Sequence, residues 1–597
     1  MQAPTLKRRT RDIILLVILV LAMALPGLGG LPVIDRDEAR YAQASVQMME
    51  SGDYINIRFQ DQARNKKPAG AYWLQSLSVK AFSDVENRSI WAHRIPSVIA
   101  ALLAVLATYW GGIRLLGRDS ALIGSALLAT SMMFVFEAHI AKTDALLCGC
   151  AALSLASLAY LRTKDTQSKA RGPALVFWGA MGCAVMIKGP ILPILVGICI
   201  LSLLVWERKA TWLKPLGFWL GPVLFFAIIL PWAVLIWQET NGAFFTEAIG
   251  GDLTPKLIGG HERHGGPPGY YTLSTWLAFW PGCLFLLPGL VFCVQAGRGT
   301  NGFDTPVAQA ARLLLCWSLP FFILLEIIPT KLPHYPLPIY PAWALMAGAA
   351  IMTLSKMDAF RFWRRFGAVI FASISIVLAT ALLAGEAYYS ADFPTWSFAV
   401  LYVVILLCLF SALKMWKGQS QPAFVAVIGA AFLTTMLSYQ FTLPSLKELQ
   451  ISKQVEMALR AENIDLAQTK ILSTQFTEPS LVYRLGTHIL LGKPQERLAN
   501  LSLESGDIVI LDRERDETEG YEIELMRALK ANNTCLQSLS IVDGFNYAKG
   551  NKVALDLLRV EICALDESSV ASVVMMAIEG ELSPATRSET PTTTPDP

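Results

Sequence analysis

Five short polar stretches carry residue types able to do chemistry, and all lie between the apolar runs or at their ends. Asp35-Arg36-Asp37-Glu38-Ala39-Arg40-Tyr41 places three carboxylates and two guanidiniums in seven residues. Asp35 and Glu38 have the spacing of a capping box for a helix running to about Glu50 and stopping at Gly52. Asp37 then falls in the first turn, where the helix dipole and Arg36 or Arg40 favour its ionised form. An ionised carboxylate suits a general base, or a group that steadies a cationic centre. Lys66-Lys67-Pro68, ahead of Tyr72-Trp73, offers ammonium groups of the kind that hold a lipid phosphate. In Ala138-His139-Ile140-Ala141-Lys142-Thr143-Asp144, Asp144 opens an apolar run, and a carboxylate there should face a polar cavity or a cation. The loop 259–268 sets His261, Glu262, Arg263 and His264 between glycines, so it can move over a substrate. Arg263 and a histidine there suit a phosphate, and the H-x-x-H spacing is a weak zinc signal. Lys331-Leu332-Pro333-His334-Tyr335 joins a cation, an imidazole and a phenol in a proline-stiffened turn, and Lys188 adds another cation. Each stretch also has a plain reading as a helix-start acid, a snorkelling lysine, a solvated loop or an ordinary turn.

The elements that must position these residues are membrane helices. The 597 residues are 54% hydrophobic and 16% charged, with mean hydropathy +0.45, the composition of a polytopic membrane protein. A net charge of only +3 argues against a nucleic-acid partner. Thirteen apolar runs stand at 13–34, 90–113, 119–138, 143–161, 173–187, 190–206, 215–237, 273–294, 312–328, 336–354, 366–385, 396–413 and 421–440. Lys7, Arg8, Arg9 and Arg11 precede the first run, and alternate loops are basic: Arg114 and Arg118, Arg162 to Arg171, Arg208 to Lys214, Arg298, Lys356 to Arg365, Lys414 and Lys417. The positive-inside rule puts these loops and the N-terminus in the cytoplasm. The exit of the first run has no small-x-small cleavage site, so it reads as a retained helix rather than a signal peptide. All the polar stretches then share the outer face, with acids for one reactant and cations for an anionic one. Trp232 and Trp237 read as interface anchors.

The apolar runs stop near Leu446. The expected organisation is a membrane domain at 1–443 with outer loops 35–90 and 238–272, an α/β domain outside at 444–565, and a disordered tail at 566–597. In the α/β part the patterns predict helices at Ile451–Ala461 and Gly520–Ala531 and strands at Lys470–Thr474 and Ile508–Leu511. Tyr54–Gln60 also alternates like a strand. Cys535 and Cys563 are disulfide candidates if that part lies in an oxidising compartment.

Asp37-Glu38-Ala39-Arg40-Tyr41-Ala42, Lys67-Pro68 with Tyr72-Trp73, Lys142-Thr143-Asp144 and Lys331-Leu332-Pro333-His334-Tyr335 resemble the bacterial lipid A aminoarabinose transferases. These sit among the protein O-mannosyltransferase-like membrane glycosyltransferases of GT-C type. The resemblance covers about residues 10–440. It implies a mainly α, polytopic GT-C fold in a bacterial inner membrane. It also implies inverting sugar transfer from a polyprenyl-phosphate (undecaprenyl-phosphate) carrier to lipid A or another glycan or lipid acceptor at the outer face. By the same resemblance Asp37 and Asp144 are the catalytic acids, and Lys67, Arg40, Arg263, Tyr335, Lys331 and His261 attend the donor phosphate. Family members often carry Glu, a potential metal ligand, before the K-P lysine; Lys66 stands there in this chain. No cofactor is therefore expected, and a divalent metal is doubted. The competing readings are a transporter or flippase for lipid-linked sugars and a protein O-mannosyltransferase. Inverted repeats and mid-membrane helix breaks, which a transporter would show, are not evident in the sequence.

Overall fold

The computed structural model describes residues 6–162, 170–258, 265–299, 305–353, 360–389, 394–492, 503–513, 529 and 534–562. The chain divides into two compact units, Met1–Leu446 and Lys447–Pro597.

The first unit is a multi-pass membrane bundle in which helix occupies each of the thirteen apolar runs. Among the described residues, seven helices are long and apolar enough to cross a bilayer. The number is eight if the bent pair Arg118–Ala129 and Met132–Ala138 counts as one span, and three more apolar helices are shorter. Leu6–Ala24 falls outside this set because its first two turns hold Lys7, Arg8, Arg9, Arg11 and Asp12.

Asp144–Leu161 is the central helix, buried along almost its whole length against Ile90–Leu116. Gly111 permits that contact: a Cβ there would lie 2.7 Å from Ala156 Cα. Without a hydrophobic drive between helices in lipid, such small-residue contacts supply the packing. Gly70 does the same for the helix Gly70–Phe82. A Cβ at Gly70 would meet Met186 O at 2.7 Å, so the Lys67 to Tyr72 stretch lies against the end of Arg171–Lys188.

The run at 119–138, expected as one span, is two helices bent by 61°. Ser131 breaks the ladder, and the freed Met132 N–H donates to Trp280 O at 2.7 Å. The bend carries Glu137 to the polar end of the bundle.

The helix Asp37–Ser51 ends as expected at Gly52, whose φ of +70° suits a residue without Cβ. Its start corrects the capping-box reading. Arg36, not Asp35, is the N-cap, and the Glu38 carboxylate points inward. Glu38 takes Arg94 Nε and Nη2 at 2.8 Å each, with both side chains fully buried. It also accepts Ile34 N–H and Ala141 N–H, each at 2.8 Å. Arg94 spends its remaining donors on the carbonyls of Leu28, Leu31 and Pro32. Tyr54–Gln60 likewise differs from expectation: only Arg58–Phe59 pairs, antiparallel with Gln62–Ala63. Trp232 is buried and donates to Ile55 O at 3.2 Å instead of anchoring at an interface, whereas Trp237 is exposed.

The second unit holds a five-stranded sheet ordered Leu490–Leu491, Ile471–Ser473, Ile508–Asp512, Asn551–Ile562, Thr534–Asn546. The first two pairings are parallel and the last two antiparallel. The helix Ile451–Ala461 and the strands near 471 and 508 were legible in the sequence; the long hairpin was not. The helix expected at Gly520–Ala531 and the tail at 566–597 fall, but for Leu529, outside the described residues. Cys535 is disulfide-bonded; Cys563 lies outside the described residues.

Removing one partner of a fully buried, hydrogen-bonded ion pair leaves an uncompensated charge and costs about 3–5 kcal/mol. Arg94→Met should therefore lower the unfolding free energy of the purified protein in detergent by about that amount. A loss below about 1 kcal/mol, the scale of a surface pair, would show that Glu38–Arg94 is not the clasp its burial indicates.

Candidate active site

Helix ends build the site. Asp37 opens Asp37–Ser51, Asp144 opens Asp144–Leu161, Glu137 lies in the last turn of Met132–Ala138, and Lys188 closes Arg171–Lys188. Lys142 comes from the turn between the second and third of these, and His334 and Tyr335 from the turn after Pro306–Ile327. Dipoles and unsatisfied backbone groups concentrate at such ends.

Asp144 is held by two ammonium groups. It forms a short ion pair with Lys188, and Lys142 Nζ stands 3.5 Å from its Oδ2. Lys142 also donates to Glu137 Oε1 at 3.1 Å and approaches His334 Nδ1 at 3.4 Å. An ammonium has only protons to offer, so His334 Nδ1 must present its lone pair there. His334 Nε2 then carries the proton and faces Asp144 Oδ2 at 3.7 Å. Burial keeps this imidazole neutral, pushing its pKa down to about 3 despite Asp144 beside it.

Asp37 differs from these buried acids in being accessible. The protein around it disfavours charge, but Lys142 and Arg64 outweigh that and hold the carboxyl below the usual carboxylate range. Arg64 was missed in the sequence, where it passed as part of a polar loop. Its guanidinium donates to Tyr72 Oη at 3.2 Å and lies 5.3 Å over the Tyr41 ring. Tyr41 and Tyr72 stack at 5.0 Å, which ties the D-E-A-R-Y stretch to the start of the helix Gly70–Phe82.

Tyr335 joins the same site. Lys188 Nζ sits 5.4 Å from its ring centroid, and its hydroxyl pKa is raised by burial and by the nearby carboxylates of Asp144, Asp252 and Asp37. Lys67 donates to Asp252 Oδ2 at 2.8 Å, and Lys256 holds the other oxygen at 2.5 Å. Asp252 is 2% exposed; it lies in a helical turn, Glu247–Leu253, inside the stretch expected as an outer loop, and no motif around it marked it in the sequence. Asn65 Nδ2 donates to Glu247 Oε2 at 3.1 Å, so two carboxylates fasten the segment 247–256 to the K-P loop. Arg40 lies half-buried one turn after Asp37.

Lys331 departs from its expected role. Its three donors go to the carbonyls of Leu325, Glu326 and Ile328, at 2.6, 2.7 and 2.5 Å. It caps the end of Pro306–Ile327 and has no proton left for a phosphate. His261 and Arg263 lie outside the described residues.

Glu137, Asp144 and His334 offer ligand atoms within 4.8 Å of one another, which by type could hold a metal. The cradle already contains the Lys142 ammonium, and Lys188 occupies Asp144 from another side. A divalent ion does not fit beside them without displacing a buried cation. Lys66, beside the K-P lysine, supplies no metal ligand either.

The profile of the dolichyl-phosphate-mannose-protein mannosyltransferase family matches residues 66–237. The chain is 30% identical over 356 residues to the undecaprenyl phosphate-alpha-4-amino-4-deoxy-L-arabinose arabinosyl transferase of Pseudomonas savastanoi pv. phaseolicola. That match covers 58% of this chain and 63% of the relative, so the chain spans less than two thirds of that relative's length. The crystal structure of ArnT from Cupriavidus metallidurans in the apo state aligns with a TM-score of 0.70 at 19% identity, over 92% of this chain and 98% of that one. The same protein bound to undecaprenyl phosphate gives 0.68 at 19% identity, over 91% and 97%. This chain thus has the GT-C fold and is similar to the undecaprenyl phosphate-aminoarabinose arabinosyl transferases.

Proposed function

We propose that the protein transfers a sugar from an undecaprenyl-phosphate carrier to an acceptor at the outer face of a bacterial inner membrane, with lipid A as the favoured acceptor. One observation carries the reading: an accessible carboxylate, Asp37, stands where Lys142 and Arg64, brought from segments far apart in sequence, favour its charged form. The named activities of the relatives and the undecaprenyl phosphate bound by the structural neighbour support it. The alternating basic loops support a cytoplasmic N-terminus and a periplasmic second unit. The named transferase activities of the relatives favour transfer over transport.

In this reaction the bond between the anomeric carbon and the phosphate oxygen breaks, and its electron pair leaves with the phosphate. The acceptor oxygen attacks from the opposite side, giving inversion. Cations aimed at the developing charge on the leaving phosphate lower the barrier. Lys67, Arg40 and Tyr335 take that role, with Arg263 and His261 assigned to it by resemblance alone. The phosphate shares Lys67 with Asp252, and Lys256 balances that carboxylate. Asp37 takes the proton of an acceptor hydroxyl; if the acceptor is itself a phosphate, Asp37 steadies positive charge at the anomeric carbon. Asp144, bound by Lys188 and Lys142, sets the field around it. A protein acceptor is the second reading, favoured by the match to the mannosyltransferase profile.

Asp37→Asn should cut transfer from purified undecaprenyl-phosphate sugar by at least about 100-fold, the lower end of what a positioned acid–base group contributes. Mass spectrometry of the acceptor reads the product, and undiminished turnover by a folded variant would remove the proposal. The pH profile gives a second check. Because Arg64 helps depress the Asp37 pKa, the working carboxylate persists as pH falls toward that lowered value. Arg64→Met should move the acid limb of kcat/KM to higher pH. An unmoved limb would mean that Asp37 is not the group whose ionisation governs the rate.

A further inference from the structure

We infer that Lys142 is a built-in cation: its ammonium occupies a divalent-metal cradle formed by Glu137, Asp144 and His334, and removing it opens that cradle to a metal ion. The donor set is one that Zn²⁺ or Mn²⁺ accepts, two carboxylates and a neutral imidazole. Lys142 Nζ contacts all three residues, 3.1 Å from Glu137 Oε1, 3.5 Å from Asp144 Oδ2 and 3.4 Å from His334 Nδ1. The three ligand residues are brought together from three separate segments, and Glu137 is fully buried. A second observation comes from the other oxygen of Glu137. Oε2 is buried and has no hydrogen-bond partner among the described residues. Lys142 thus leaves part of the Glu137 carboxyl unsatisfied, at a desolvation cost that a further ligand would relieve.

Lys142 and Lys188 supply the positive charge that offsets the carboxylates crowded beside Asp37. Lys142 is thereby a positioning residue, whose charge fixes Asp144 and His334 and raises the field at Asp37. That part rests on the proposed transfer reaction; metal binding does not.

The test uses full-length protein in detergent, with Zn²⁺ itself as the probe. Isothermal titration should show no stoichiometric Zn²⁺ site at this cluster in the unmodified protein. Lys142→Ala should gain one saturable equivalent, together with a rise in melting temperature on adding Zn²⁺. Adding His334→Ala to that variant should abolish both. Should Lys142→Ala fail to fold without metal, recovery of folded protein only when Zn²⁺ is present supports the inference equally. If it folds in neither condition, the shape-conserving Lys142→Met takes its place under the same criteria. A Zn²⁺ equivalent in the unmodified protein that His334→Ala removes would overturn the inference, because the lysine would then not be filling the cradle. So would folded Lys142 variants that bind no Zn²⁺. Transfer activity adds a separate readout: Lys142→Ala should lose at least tenfold in kcat with little change in KM, and Zn²⁺ should restore part of it. If the unmodified protein transfers no sugar while the Zn²⁺ results hold, the functional reading fails and the cradle stands.

Discussion

The ion pair between Glu38 and Arg94 fixes the geometry on which the site depends. Two fully buried charges survive in a bundle of this kind only when their remaining valences are satisfied. Here they are: Arg94 reaches Leu28, Leu31 and Pro32, and Glu38 takes the amides of Ile34 and Ala141. The pair thereby joins the turn after the first helix, the start of Asp37–Ser51, the helix Ile90–Leu116 and the turn at 139–143. Asp37 is the residue before Glu38, and Lys142 is the residue after Ala141. Asp37 and Lys142, more than a hundred residues apart in sequence, are thus each held one peptide away from the same clasp.

Exposure sorts the acids of the membrane unit into two kinds. Glu38, Glu137 and Asp144 are buried and bonded to cations, as is Asp12, which at a different point in the bundle takes Arg118 and the Tyr109 hydroxyl. Each of these bonds ties separate segments of the bundle together. Asp37 keeps access while the cations around it hold its charge. A site needs both kinds, because an accessible carboxylate keeps a defined position and charge only if neighbours that cannot move define them.

The chain was legible where local pattern decides the outcome. Apolar runs marked where the helices of the bundle lie, and Gly52 stopped the helix Asp37–Ser51 where a left-handed residue was required. The motifs Asp37 to Tyr41, Lys67-Pro68, Lys142 to Asp144 and Lys331 to Tyr335 all lead into one region of the bundle. What escaped were partners set by tertiary contact. Glu38 looked like a helix cap because its spacing from Asp35 allowed it, and nothing local points to Arg94, 56 positions away. Arg64, Glu137 and Asp252 have no motif around them; their roles appear only once Tyr72, Lys142 and Lys67 are beside them. The break in 119–138 depends on Trp280 accepting the freed amide, a contact with a residue almost 150 positions on.

Lys331 and Lys67 show why charge and motif alone do not assign a phosphate ligand. Both are lysines beside a proline-containing turn, and both lie near the site. Lys331 gives all three protons to backbone carbonyls at a helix end, where the dipole favours a cation and nothing can replace those acceptors without unravelling the turn. Lys67 gives a proton to the Asp252 carboxylate, an acceptor with the same charge and hydrogen-bonding character as a phosphate oxygen. The carboxylate also has a second ammonium in Lys256, so it remains paired if Lys67 turns toward a ligand. An ammonium whose partner can stay satisfied without it is free to be shared, and that property, more than its sign, separates a binding cation from a structural one.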